Sequence, residues 1–190
     1  LNYSDNNSLI DIGTTPSLND SHNLILQKTI NNNQVTSFSN LDCKILHKKF
    51  SNIKEFITGN AIDNNLPDKS FEIVYSSATI EHVGSNENQL LFVSECLRIA
   101  KKSVFITTPN RYFPFDLHTK IPFIHFLPKN LHRRLLKMIG LSFFSMEENL
   151  NLLSKKDLIN ICKKLRVKNF YIVKHKFCFF TSNLILIINR

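Results

Sequence analysis

Residues 60–84 read NAIDNNLPDKSFEIVYSSATIEHVG and decide the architecture. A polar connection, Asp63 to Ser70 with Pro67 inside it, ends in Phe71-Glu72-Ile73-Val74-Tyr75, a run that fits a buried strand. The apolar run then gives way to Ser76-Ser77-Ala78-Thr79, followed by an acid, an imidazole and a glycine at Glu81, His82 and Gly84. In an open parallel sheet, ligands bind beyond the carboxyl ends of the strands. A strand ending in small residues followed by Glu-His therefore puts titratable groups where a ligand would sit.

Outward from this stretch, strand and helix signals alternate, the pattern of a parallel sheet with crossover helices. Upstream, residues 8–12 form a short β-type run ending at Gly13, and His22 to Ile30 reads as a helix with Ser21 as its N-cap and Asn31-Asn32-Asn33 as its end. Val35 to Phe38 and Phe56 to Thr58 are two more strands. Downstream, Glu87 to Ala100 is a helix on the spacing of Leu90, Val93, Leu97 and Ala100, and Ser103 to Thr107 is a fifth strand, stopped by Pro109. Residues 112–128 hold three prolines and four phenylalanines and read as an insertion. Lys129 to Ile139 is an amphipathic helix with Leu131, Leu135 and Ile139 on its apolar face, and Ser154 caps a helix running to Leu165. Asn169 to Lys176 and Asn183 to Asn189 are close enough to form an antiparallel pair.

The quoted stretch resembles the class I S-adenosylmethionine-dependent methyltransferases, in the small-molecule (type 11-like) branch with an LPD-S-F-D fourth-strand motif followed by E-H-V. Here the motif reads LPDKSFEIVYSSATIEHV, and the likeness continues through Glu95-Cys96-Leu97-Arg98-Ile99 and Thr107-Thr108-Pro109-Asn110-Arg111. The resemblance implies an α/β, Rossmann-like, mostly parallel sheet of seven strands with the last antiparallel and helices on both faces. It also implies one methyltransferase domain over 1–190, with 111–140 a substrate-side insertion or lid. The family carries a helix ahead of its first strand. This chain reaches that strand almost at once from Leu1, so an absent N-terminal helix is expected.

The resemblance further implies S-adenosyl-L-methionine as cofactor, with contacts from Asp11, Gly13, Thr14, Ser39, Asn60, Ala61 and Ser77. The family's first loop is an acid followed by alternating glycines. Here Gly13 stands, while Thr15 and Ser17 occupy the next two glycine places and Pro16 stiffens the loop. The small hydroxyls are mild replacements able to donate to a carboxylate. Where the family places an acid for the ribose hydroxyls, the chain offers Ser39 and Asn40, with Asp42 beyond. Asn60 serves either an adenine edge, since an amide both donates and accepts, or a turn after Gly59.

Methyl transfer from a sulfonium needs positioning and an unprotonated nucleophile. His82 is the first candidate base for a hydroxyl acceptor. Glu81 either orients it or holds the cofactor; in the plainer reading both brace the loop against the next helix. Arg111, Tyr112 and His118 form a wall for a substrate with apolar and acidic parts, with His118 and His125 as second-choice bases. No metal is required by this reading.

The chain has 190 residues and a formal net charge of +9, which suits an anionic surface, an anionic substrate or nucleic acid. The cluster His132, Arg133, Arg134 and Lys137 either faces anionic lipid or is the solvated side of a helix. Nucleic-acid recognition motifs are absent, and Thr108-Pro109-Asn110-Arg111 is not a target-base motif. Cys43, Cys96, Cys162 and Cys178 lie too far apart for a zinc knuckle, which points to reduced thiols in a cytoplasmic setting. No apolar run approaches the ~18 residues of a membrane span. The expected activity is O-methylation of a small-molecule or lipid-linked acceptor. Its rivals are a catalytically silent binding protein on the same fold and a nucleic-acid methyltransferase. A nicotinamide oxidoreductase lacks its phosphate-cradling glycines.

Overall fold

A computed structural model describes residues 4, 6–19, 22–31, 34–116 and 118–190. Seven strands form one sheet: β1 (Leu9–Ile12), β2 (Val35–Ser39), β3 (Ile53–Thr58), β4 (Phe71–Ser77), β5 (Ala100–Pro109), β6 (Phe170–Phe177) and β7 (Phe180–Asn189). Their order is β3-β2-β1-β4-β5-β7-β6. β1 to β5 pair in parallel, and β7 runs antiparallel to both β5 and β6. The expected class and the closing antiparallel pair are both present.

The chain winds from β1 out to β3, then crosses back to place β4 on the other side of β1. That reversal opens a crevice between the β1 and β4 ends, the place where doubly wound sheets take ligands. Register brings the strand ends level: Ile12 lies between Phe38 and Ser76, and Ser76 opposes Ile106.

Parallel strands are buried on both faces, and two cores result. On one face Ile10, Val74, Val104 and Leu186 pack under α2 (Asn86–Ile99) and α5 (Lys155–Lys164). On the other, Leu9, Val35 and Ile73 pack under α1 (Leu24–Lys28) and a 3-10 turn at Lys44–Lys48. Ser154 caps α5 through a reciprocal box with Asp157, as its sequence predicts.

Several expectations shift. α1 is shorter than His22 to Ile30 and starts from Asn23 in a left-handed conformation (φ 53°); the expected cap Ser21, with Asn32 and Asn33, lies outside the described residues. α2 buries Phe92, Val93, Cys96 and Ile99, so its apolar face centres one position away from the Leu90–Leu97 stripe. In α3 (Lys129–Met138) the expected apolar face is corrected: His132 and Leu136 are buried, while Leu131 and Ile139 are 45% and 52% exposed. His132 is therefore not on a solvated face, and burial pushes its imidazole down to about 4, so it is neutral. The short α4 (Ser142–Ser145) packs beside α3 and had no signal of its own, because a single turn carries no periodicity.

Arg98 fastens the LPD connection. Its guanidinium donates to the Glu95 and Asp68 carboxylates at 2.7 and 2.8 Å and to the Leu66 and Asn64 carbonyls at 2.6 and 3.1 Å. The stretch that resembles the family is thus held from α2, at the sheet edge opposite the crevice.

Candidate active site

Two cavities open at the carboxyl edge and meet at Gly13. The first, about 190 Å3, is bounded by Asp11, Gly13, Thr15, Asn23 and Ser77. The second, about 300 Å3, is bounded by Ser39, Asn40, Asn60, Ala61, Thr79 and His82. Thr79 stands between them: its Oγ1 donates to the carbonyls of Ile12 (3.3 Å) and Ser77 (3.1 Å). Gly13 sits at φ +94°, and a Cβ placed there would run into Thr79 Oγ1 and lie 2.8 Å from Cγ2. Here the glycine is required both by conformation and by close approach.

Asp11 is 4% exposed. Burial pushes its carboxyl up to about 7, against the opposing hydrogen bond from Thr14 Oγ1 at 3.1 Å. Thr14 also donates to the Asp11 carbonyl (3.0 Å), so its side chain serves Asp11 rather than facing either cavity. The loop after Gly13 is pinned by Asn23, which accepts from Thr15 N–H (3.0 Å) and donates to Thr15 O (2.8 Å).

At the second strand, Ser39 and Asn40 border the cavity, whereas Asp42 is a turn residue that accepts from Lys44 N–H at 3.0 Å. Asn60 combines both of its readings: its Oδ1 accepts from Ile62 N–H (3.1 Å) within a turn, and the residue still lines the cavity. Ser77 shares a 2.9 Å hydrogen bond with Thr107 and borders the first cavity.

Beyond β4 the chain turns sharply. Ala78 is left-handed (φ 49°), Ile80–His82 form a 3-10 turn, and Gly84 (φ +96°) leads into α2, which Ser85 caps. Gln89 and Asn151 hold this turn. Gln89 donates to Ile80 O at 3.2 Å, and Asn151 N–H donates to Glu81 O at 2.8 Å. The turn points Glu81 inward and His82 outward. Glu81 is fully buried; its Oε2 accepts from Thr108 Oγ1 of β5 at 2.9 Å, while Oε1 has no hydrogen-bond partner. Burial pushes the Glu81 carboxyl up, opposed by neighbouring His82, the Thr108 hydroxyl and His118. His82 is exposed on the cavity rim with its Nδ1 2.6 Å from Asn149 O. A carbonyl only accepts, so Nδ1 carries the proton and Nε2 presents a lone pair.

The insertion brings in a residue whose partnership the sequence did not reveal. His118 packs against His82, with ring centroids 5.0 Å apart, although 36 positions separate them. Asp116 is the missed residue: it accepts from His118 N–H (3.0 Å), lies 3.1 Å from His118 Nδ1 and accepts from Thr119 Oγ1 (2.7 Å). Burial alone would raise its carboxyl, but those hydrogen bonds pull it down to about 2. Its signal was the Asp-x-His spacing.

Arg111 is committed elsewhere: its guanidinium donates to His125 O (3.2 Å) and Leu127 O (2.8 Å), tying the insertion down. Tyr112 is 54% exposed and stacks edge-on with Phe126. His125 is buried, its Nε2 2.6 Å from Phe113 O, which leaves it a structural role.

Comparison with known proteins agrees with this fold. Residues 25–107 match a family model described as a methyltransferase domain, the segment running from α1 through most of β5. No curated protein sequence matches the chain significantly. Among solved structures, a SAM-dependent methyltransferase from Methanosarcina mazei superposes with a TM-score of 0.64 at 13% identity, over 99% of this chain and 94% of that one. One from Archaeoglobus fulgidus gives 0.62 at 14%, over 97% and 86%. One from Aquifex aeolicus gives 0.62 at 12%, over 96% and 81%. At these identities the superpositions speak for the fold. The fold is the Rossmann-like methyltransferase fold, and residues 25–107 carry the methyltransferase-domain match.

Proposed function

We propose that this enzyme methylates a hydroxyl oxygen on a small-molecule or lipid-linked acceptor. The observation that carries the reading is His82, whose Nε2 lone pair stands at the rim of the cavity while Asn149 O fixes the ring. The donor set fits the cofactor: a glycine where a Cβ would close the gap, a buried carboxylate on one side, and hydroxyl and amide groups on the other. When bound, S-adenosylmethionine supplies a methyl on a sulfonium that keeps the bonding electron pair as it leaves. Asp11, Gly13 and Ser77 hold its methionine part; Ser39, Asn60 and Ala61 hold the nucleoside, and Thr14 acts through Asp11. His82 Nε2 accepts the hydroxyl proton as the oxygen–methyl bond forms. Glu81 balances the charge that develops on the imidazole.

Acceptor choice follows the surface at this edge. Residues 111–140 form the substrate side, with Tyr112 and His118 facing the acceptor. Phe115, Phe123, Phe177 and Phe179 are 57%, 58%, 64% and 93% exposed, and an aromatic rim of this kind marks an interaction surface. Phe177 is on the strand whose carboxyl end shares the crevice edge. Arg134 and Lys137 are exposed for anionic headgroups, while Arg133 is paired with Glu147 at 2.8 Å. Among the described residues no helix is long and apolar enough to cross a membrane. Incubation with methyl-labelled cofactor and hydroxyl acceptors, in detergent and free, tests the reading. Label is expected in an ether product and lost in His82→Gln. Label appearing only in nitrogen products or nucleic acid would reject it.

A further inference from the structure

We propose that Glu81, His82 and His118 bind a divalent transition-metal cation that holds the acceptor oxygen. One ligand atom from each residue lies within 4.8 Å of the others. Bonds of ~2.0–2.2 Å put neighbouring ligands of one ion about 3–4 Å apart, so small side-chain rotations close the set.

Two independent features point to a ligand. The first is Glu81 Oε1, a carboxylate oxygen sealed from solvent without a hydrogen-bond donor. Such an oxygen costs stability unless something positive meets it. Its sister Oε2 is occupied by Thr108, which leaves Oε1 as the free ligand atom. The second feature is how the imidazoles are braced. His82 Nδ1 donates to Asn149 O at 2.6 Å, and His118 Nδ1 to Asp116 Oδ1 at 3.1 Å. This leaves Nε2 of each ring without a protein partner among the described residues, and a histidine that gives its other N–H to a carbonyl or carboxylate is the usual support of a metal ligand. Nothing about a bracing role requires both rings to be set this way.

Charge and ligand type narrow the ion. Glu81 and Asp116 supply two carboxylates around a divalent cation. Two imidazoles with one carboxylate suit manganese, iron, cobalt or zinc rather than magnesium or calcium, which prefer all-oxygen shells. Three protein ligands leave positions open, and His82 stands on the cavity rim where an acceptor oxygen arrives. The inference rests on the proposed function for the acceptor alone. In the loaded site the cation takes the His82 lone pair, so direct proton transfer to that nitrogen belongs to the metal-free enzyme only; with the cation bound, the acceptor hydroxyl would lose its proton to water and its oxygen would bond the cation until it takes the methyl group.

The test uses the full chain, stripped with chelator and titrated with cobalt(II), manganese(II) and zinc(II) by calorimetry, with visible absorption for cobalt. One cation per chain is expected, with low-symmetry cobalt bands. His118→Gln and Glu81→Gln should each weaken binding at least tenfold, and Asp116→Asn about 10- to 100-fold. His47→Ala, an exposed histidine outside the ligand set, should leave it unchanged. As Glu81 is buried, circular dichroism checks that its variant folds, and His118→Gln carries the test if it does not. Absence of binding by folded wild type, or full binding in His118→Gln, overturns the proposal. S-adenosylhomocysteine binding is measured separately: its failure would count against the cofactor reading, and failure of the metal titration against this one.

Discussion

Replacing Asp11 with Asn should make the protein more stable in alkaline buffer and a weaker binder of its cofactor. The carboxyl is buried and displaced from its ordinary 3.8 to about 7. Between those values the native state keeps a proton that the unfolded chain has released. Unfolding then releases protons, so stability falls as pH rises through this window and levels off above about 7. At 1.36 kcal/mol per unit, a displacement of about 3 units amounts to up to about 4 kcal/mol. Asparagine cannot ionise, keeps the shape and can still accept from Thr14. The gap in unfolding free energy between Asp11→Asn and wild type should therefore widen in the variant's favour from pH 4 to pH 8. Urea melts at matched ionic strength measure it, with unchanged m-values as the control. S-adenosylhomocysteine titration should show affinity falling about tenfold, the trade of stability for a site. A stability gap that stays flat across this pH range would refute the reasoning, because it would mean Asp11 is not burying a charge.

Gly13→Ala should cost about 2 kcal/mol or more, since φ +94° disfavours any side chain and Thr79 blocks the Cβ; calorimetric binding of S-adenosylhomocysteine should vanish, and Gly13→Ala with Thr79→Ala should recover only part. Arg98→Met removes two carboxylate and two carbonyl contacts, so thermal unfolding should show a loss of about 2–3 kcal/mol. Because that cluster lies at the edge opposite the crevice, cofactor affinity in the folded variant should stay unchanged.

The sheet was legible because its evidence is local: apolar runs of strand length separated by helical spacing, and the run at Phe71 to Tyr75 ends in small residues as a crevice strand must. The faces of α2 and α3 were less legible, since which side is buried depends on neighbours distant in sequence. In α3 the charged-looking His132 went inward because Leu136 shares its face and the insertion covers both. The candidate site divides the same way. Asp11, Gly13, Asn60 and His82 follow from strand ends. The meeting of His82 with His118 does not, because it is made by the path of an irregular insertion that no periodicity describes. Arg111 reads as a substrate contact from its place beside the crevice; its bonds to the His125 and Leu127 carbonyls depend on the path of the insertion and have no local signal.

The crowded first loop is resolved by where positive φ falls. Had Thr15 and Ser17 taken over the backbone task of glycines, they would be strained, but neither has a positive φ; the left-handed residue nearby is Asn23. The loop is pinned by Asn23 at Thr15, which borders a cavity of about 190 Å3 that remains open. The constriction is Thr79, reaching over Gly13 from the β4 side. Its hydrogen bonds go to carbonyls at 3.1 and 3.3 Å near the strand ends, where water can replace it, so Thr79→Ala should cost under about 1 kcal/mol of stability. The same change joins the two cavities. Moving a side chain off its rotamer costs about 0.5–1.5 kcal/mol, so a cofactor that must push Thr79 aside should bind Thr79→Ala about 2- to 10-fold more tightly. Calorimetry with S-adenosylhomocysteine reads the sign directly. Tighter binding marks Thr79 as the barrier between the halves of one cofactor slot, and binding weakened tenfold would make it a contact and send the cofactor by another route.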